Sequence, residues 1–166
     1  RFTFSPAAIE MGSSRMTPVQ SWFCDTNLLA SYYTSGEAKR AYHHTAPVNS
    51  LFAMREALRL VVDEGLEARW KRHADAAAHL YGRLEDADLC LTVASAHRLA
   101  PLTLIDIPNG VDDAALRGRL LEKHSIEIGA GLGKFAGKAW RIGLMGQNAS
   151  VERADFVADA LLGEIR

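Results

Sequence analysis

The chain reads as an α/β or α+β unit in which a long helical stretch leads into alternating strands and helices. Two patterns predict this. From Val48, apolar residues recur at Leu51, Met54, Leu58, Val61, Val62 and Leu66, then at Trp70, Ala77, Leu80 and Leu84, which is a helical period. Beyond Leu89, runs rich in β-formers alternate with helical ones, an order that implies helices layered on a sheet.

The segments run in order. Residues 1–47 read as irregular with two short helices. Ser5-Pro6 is a cap followed by proline at the first helical position, leading Ala7 to Gly12. Asp25 caps a second, Thr26 to Tyr33, and Thr34-Ser35-Gly36 breaks it. The long pattern from Val48 is interrupted at Gly65, so a bend or two consecutive helices are expected. Its apolar stripe is expected to pack on a core, with Arg55, Glu56, Arg59, Asp63, Glu64, Glu67, Arg69 and Lys71 filling the other faces. Leu89–Val93 and Leu102–Ile107 read as strands. Val111 to His124 reads as a helix, with Asp112 and Asp113 at its start and Lys123 and His124 at its end, as the helix dipole favours. Ile126–Ile128 is expected to be a short strand and Gly129 to Gly137 a glycine-rich loop. Lys138–Leu144 reads as a strand, and Ser150 caps a final helix to Ile165.

Composition narrows the function classes. A net charge of −1 over 166 residues argues against a strong electrostatic footprint for nucleic acid or an anionic membrane. No run approaches the roughly 18 apolar residues of a membrane span. Cys24 and Cys90 are too few and too far apart for a disulfide framework, so a reducing, cytoplasmic compartment is the expectation. The chain opens on Arg1 without an initiator methionine, as a fragment of a longer protein would.

Gly131-Leu132-Gly133-Lys134-Phe135-Ala136 fits the loose dinucleotide pattern G-x-G-x-x-A. That pattern requires a helix opening at its end to meet the pyrophosphate. The next element here is the strand around Trp140, so a turn-forming loop between two strands is expected instead. His43-His44 sits in an extended stretch, where neighbours point to opposite sides and chelate one ion poorly. A hydrogen-bonded pair near a polar site is preferred to a metal site. Tyr42 and Thr45 offer two hydroxyls just ahead of a helix start, where such residues are more often structural but could also serve as donors to a phosphate monoester. Arg141 lies in a strand between Trp140 and Ile142. An unpaired charge there is costly, so Arg141 faces water, pairs with a carboxylate or holds a ligand. As nucleophiles the cysteines are weak: Cys90 reads as a small buried strand residue, and Asp25 disfavours a thiolate at Cys24.

The run Ala41-Tyr42-His43-His44-Thr45-Ala46-Pro47-Val48-Asn49, with Trp140-Arg141-Ile142-Gly143-Leu144-Met145-Gly146 near the other end, resembles the class V (fold type I) pyridoxal-phosphate aminotransferases, in their alanine–glyoxylate/serine–pyruvate branch. Phe4-Ser5-Pro6-Ala7-Ala8, Thr17-Pro18-Val19-Gln20-Ser21-Trp22 and Glu64-Gly65-Leu66-Glu67 resemble the same group, in family order. The resemblance implies the C-terminal portion of such an enzyme: the end of the large α/β cofactor-binding domain over residues 1–61, then a small C-terminal α+β domain over 62–166 with a short, largely antiparallel sheet. It implies pyridoxal 5′-phosphate as cofactor, with Tyr42 and Thr45 reaching its phosphate in the neighbouring subunit of a homodimer. It implies that Arg141 binds the substrate carboxylate, and that a small amino acid and a 2-oxo acid are the substrates. The Schiff-base lysine, the carboxylate on the pyridinium nitrogen and the stacking aromatic are expected ahead of Arg1. Lys39, Lys71, Lys123, Lys134 and Lys138 stand in the wrong context for the first of these. The alternatives are a non-catalytic interaction or structural module, or another class V reaction: desulfuration, epimerisation or lysis.

Overall fold

The computed structural model describes residues 3–33 and 41–165. The expected break at Thr34-Ser35-Gly36 and Lys39 both lie outside the described residues. The chain divides into two compact units, residues 1–55 and 56–166.

In the first unit, α1 spans Pro6–Ser13 and α2 spans Thr26–Tyr33. Both begin where short polar side chains satisfy otherwise free amide donors. Ser5 Oγ accepts from the N–H of Ala8 at 3.2 Å. Asp25 Oδ1 accepts from Asn27 at 2.9 Å and Leu28 at 3.3 Å. Among the described residues of this unit the buried side chain is that of His43, while Phe4, Met16, Trp22, Phe23 and Phe52 are exposed.

Helix α3 runs over Val48–Glu64 and α4 over Leu66–Glu85. Gly65 separates them at φ 82°, a left-handed conformation open to glycine. The helical period is therefore correct and the break falls at the glycine. The expected burial is not uniform. Ala76, Ala77, Leu80 and Leu84 are buried, but α3 holds no buried residue. Leu51, Met54, Leu58, Val62, Leu66 and Trp70 are all exposed. Periodicity reports the face a helix can bury, and only the part of this stripe from Ala76 onward meets a core here.

The second unit carries a three-stranded antiparallel sheet in the order β1-β3-β2, formed by β1 (Leu102–Asp106), β2 (Gly129–Ala130) and β3 (Ala139–Gly143). Helix α5 covers Asp113–His124 and α6 covers Val151–Ile165. Asp112 and Ser150 cap them, accepting from Ala115 at 2.9 Å and Arg153 at 3.2 Å. Register settles which strand residues enter the core. Ile105 pairs with Trp140 and Thr103 with Ile142, and all four are buried. Ile105, Trp140 and Ile142 join Leu80 and Leu84 of α4, Leu116 and Leu120 of α5 and Leu161 of α6 in one core. Each fully buried leucine contributes roughly 1.5–3 kcal/mol relative to an exposed one. The alternate residues Leu104, Arg141 and Gly129 pair across the other face.

Two strand expectations need correction. Leu89–Val93 is not a ladder strand; it meets β1 through a single bridge, Leu91 to Ile105, with Thr92 and Asp106 making flanking backbone bonds. The segment Ile126–Ile128 is irregular, and the pairing moves on to Gly129–Ala130. In both cases the β-formers sit beside the sheet, and their apolar side chains still pack on the core.

Candidate functional site

The segment from Ala41 to Pro47 has no regular secondary structure and feeds directly into α3. Its four polar side chains sort into two layers. His43 stacks on Trp22, ring centroids 4.2 Å apart and planes 14° apart. Its Nε2 lies 3.1 Å from the Trp22 carbonyl oxygen, which can only accept, so Nε2 carries the proton. Its Nδ1 is then an acceptor, and the Nδ1–H of His44 donates to it at 2.7 Å. His44 in turn contacts the rings of Phe23 and Tyr32. The two histidines thus turn toward each other rather than to opposite sides, because the backbone is irregular and the rings follow their aromatic neighbours. Tyr42 and Thr45 form the outer layer. Both are exposed, and Tyr42 Oη and Thr45 Oγ1 lie 2.5 Å apart. One hydroxyl donates to the other, which leaves one O–H and several lone pairs open at the same point.

Arg141 belongs to the second unit. Its Nε donates to the Ala130 carbonyl at 2.8 Å, across the β2–β3 pair. This bond orients the guanidinium and leaves its two terminal nitrogens. Arg72, Arg83, Arg98, Arg117 and Arg119 each hold a carboxylate; Arg141 has no such partner among the described residues. Gly129 lies directly against it: a Cβ there would stand 3.0 Å from Nη2 and 3.2 Å from Nε. Of the three options open to this arginine, an internal ion pair is the one absent among the described residues. A half-buried planar cation without a counter-charge suits a planar anion.

The glycine-rich stretch between β2 and β3 is a tight connection with a short 3-10 turn at Gly133–Phe135, and no helix opens from it. A Cβ on Gly131 would lie 2.0 Å from the Phe135 carbonyl oxygen, so a close backbone approach demands glycine there. Cys90 is exposed rather than buried. Asp106 beside it pushes its thiol up, which disfavours a nucleophilic thiolate.

One cluster lies outside anything the sequence pattern suggested. Arg72 clasps Glu64 through Nε at 2.6 Å and Nη2 at 3.0 Å, and Arg69 Nη1 reaches the same carboxylate at 2.8 Å. The hydrogen bond from Arg72, then that from Arg69, holds the Glu64 carboxyl at about 2. Helical i,i+4 spacing cannot reveal a pair that spans the Gly65 break.

No helix among the described residues is long and apolar enough to cross a membrane.

The family described as Aminotransferase class-V matches residues 17–147. The chain is 42% identical over 160 residues to the alanine–glyoxylate aminotransferase of Callithrix jacchus, covering 96% of this chain and 39% of that one. It is 36% identical over 144 residues to the (S)-ureidoglycine–glyoxylate transaminase of Bacillus subtilis, covering 87% of this chain and 34% of that one. The solved alanine–glyoxylate aminotransferase of Nostoc sp. superposes with a TM-score of 0.86 at 48% identity, covering 99% of this chain and 43% of that one. The chain thus spans about two-fifths of the length of such relatives. The Tyr42–Thr45 run and the Arg141 strand both fall inside the matched span, on a fold shared at this level of identity, so the chain belongs to the class-V aminotransferases of fold type I.

Proposed function

We propose that the protein carrying this chain is a pyridoxal-phosphate-dependent aminotransferase that moves an amino group from a small amino acid, such as alanine or serine, to a 2-oxo acid such as glyoxylate or pyruvate. The observation that carries the proposal is the guanidinium of Arg141, fixed through Nε and without a carboxylate among the described residues. Amino acid and 2-oxo acid share one feature, an α-carboxylate, and a planar fork of N–H donors matches it. One arginine can therefore serve both halves of the exchange. The relatives named for glyoxylate support the choice of acceptor.

The described residues fit the phosphate end of the cofactor. The Tyr42 and Thr45 hydroxyls converge at 2.5 Å on an exposed surface, and a phosphate monoester needs several such donors. When bound, the pyridoxal ring supplies an electron sink for the amino acid's α-carbon and a carrier for the amino group. The chain's own contributions are positional. Tyr42 and Thr45 hold the phosphate, His43 anchors their backbone on Trp22, and Arg141 sets the substrate so that its α-carbon is presented in one orientation. We place Tyr42 and Thr45 across a twofold interface, toward the neighbouring subunit's cofactor, which makes the active form a homodimer. The free thiols of Cys24 and Cys90 support a reducing, cytoplasmic setting.

The test is direct. The full-length protein, loaded with pyridoxal phosphate, is given alanine and glyoxylate, and glycine and pyruvate are scored. Turnover of neither this pair nor serine with pyruvate sinks the proposal.

A further inference from the structure

Arg72 and His73 are neighbours near the start of α4, and both reach the short turn at Gly146–Asn148 that comes after β3. Arg72 Nη1 donates to the carbonyl oxygens of Gly146 at 2.9 Å and Ala149 at 2.7 Å. His73 makes the complementary bond. Its Nδ1 lies 2.7 Å from the Arg69 carbonyl oxygen. That oxygen only accepts, so the proton sits on Nδ1 and the Nε2 lone pair is free. It receives the N–H of Gly146 at 3.1 Å. Gly146 is therefore gripped at both its amide hydrogen and its carbonyl, by two consecutive side chains more than seventy residues earlier in the chain. Its φ of 63° is one that few other residues adopt. Arg72 is itself braced, because Glu64 takes its other two nitrogens and Arg69 as well.

Between Arg141 and Gly146 lie the end of β3 and Leu144, whose N–H donates to the Pro101 carbonyl at 3.1 Å. The clamp therefore closes the short path that begins at the arginine. A forked carboxylate contact tolerates little displacement, and an error of about 1 Å in a positioning group costs on the order of a hundredfold.

We propose that Arg72 and His73 are positioning residues for the substrate-carboxylate site: they fix the turn after β3, and through it the set of Arg141, without touching substrate. This rests on Arg141 holding the carboxylate. Two readouts test it in the full-length holoenzyme. In His73→Leu the Gly146 amide loses its acceptor. Its hydrogen exchange should accelerate, and KM for amino donor and 2-oxo acceptor should rise together by about three- to tenfold with kcat little changed. His73→Gln, whose carboxamide oxygen replaces Nε2 as acceptor, should restore both. Wild-type KM values in His73→Leu, or a Gly146 amide as protected as before, overturn the proposal. So does a rise in KM accompanied by losses of kcat and melting temperature that glutamine fails to rescue, since that marks a general structural role. Arg141→Ala, run alongside, separates this from the functional reading. If KM for carboxylate substrates stays at the wild-type value there, the arginine does not hold the carboxylate, whereas Gly146 exchange in the histidine variants still reports whether the clamp exists.

Discussion

The indole N–H of Trp140 donates to Oδ1 of Asp113 at 3.0 Å. This ties the fully buried aromatic of β3 to the first turn of α5. Asp113 also holds Arg117 at 2.7 Å, and the hydrogen bond from that guanidinium, followed by that from the indole, lowers its carboxyl pKa. One carboxylate thus satisfies a buried donor and fastens a helix start, two residues' worth of constraint next to Arg141.

Asp113→Ala should leave the indole N–H of the fully buried Trp140 without an acceptor. An orphaned buried donor costs about 1–3 kcal/mol. Urea unfolding should show a loss in that range. Asp113→Asn, which keeps an acceptor oxygen but not the charge, should lose less. Equal losses in the two variants would assign the effect to the Arg117 ion pair instead.

Stability should fall with acid, and two carboxylates account for a defined part of the fall. Glu164 is held at about 2 by hydrogen bonds from His124, Lys123 and Arg119, and Glu64 at about 2 by Arg72 and Arg69. Both lie below the value of about 4.3 for an unfolded glutamate. The unfolded chain therefore takes up protons first as the pH drops. The stabilisation is complete above about pH 5 and is lost progressively toward about pH 2. Urea midpoints measured from pH 6 to 3 should decline, and Glu164→Gln should flatten that decline. A slope unchanged by Glu164→Gln would contradict the assignment.

Two glycines should respond oppositely to alanine. Gly131→Ala forces a Cβ to within 2.0 Å of the Phe135 carbonyl oxygen, backbone that cannot swing away, and should destabilise by about 1–3 kcal/mol or more. Gly82 lies inside α4, and an added methyl there would meet nothing within 4 Å. Gly82→Ala should stabilise by roughly 0.5–1 kcal/mol. Melting temperatures of the pair check both signs.

Arg141→Ala in the holoenzyme should raise KM for both amino acid and 2-oxo acid. Charge-assisted hydrogen bonds contribute about 1.5–3 kcal/mol, which corresponds to roughly ten- to hundredfold in KM. Affinity for pyridoxal phosphate should hardly change. Tyr42→Phe and Thr45→Ala should do the reverse, weakening cofactor retention in equilibrium dialysis while sparing KM at saturating cofactor.

Much of this chain was legible from its sequence because the relevant interactions are local. Helix starts at Ser5, Asp25, Asp112 and Ser150 come from side chains that reach amides two or three residues ahead. The α3–α4 break comes from glycine at φ 82°. The Tyr42–Thr45 and Arg141–Gly146 runs are contiguous, so the family they resemble could be named from them, and it is the family shown. What the tertiary structure decided depends on which surfaces meet. The stripe that is uniform in period is buried only from Ala76 onward. The β-formers at Leu89–Val93 lie along the open edge of β1 and meet it through a single bridge, Leu91 to Ile105, instead of forming a ladder strand. Arg141 shares a face with Leu104 and Gly129 through strand register. The grip of Arg72 and His73 on Gly146 joins residues that no spacing rule connects. Caps and periods are energies between near neighbours along the chain; burial and cross-element hydrogen bonds are energies between distant ones, and these exist only once the chain has folded.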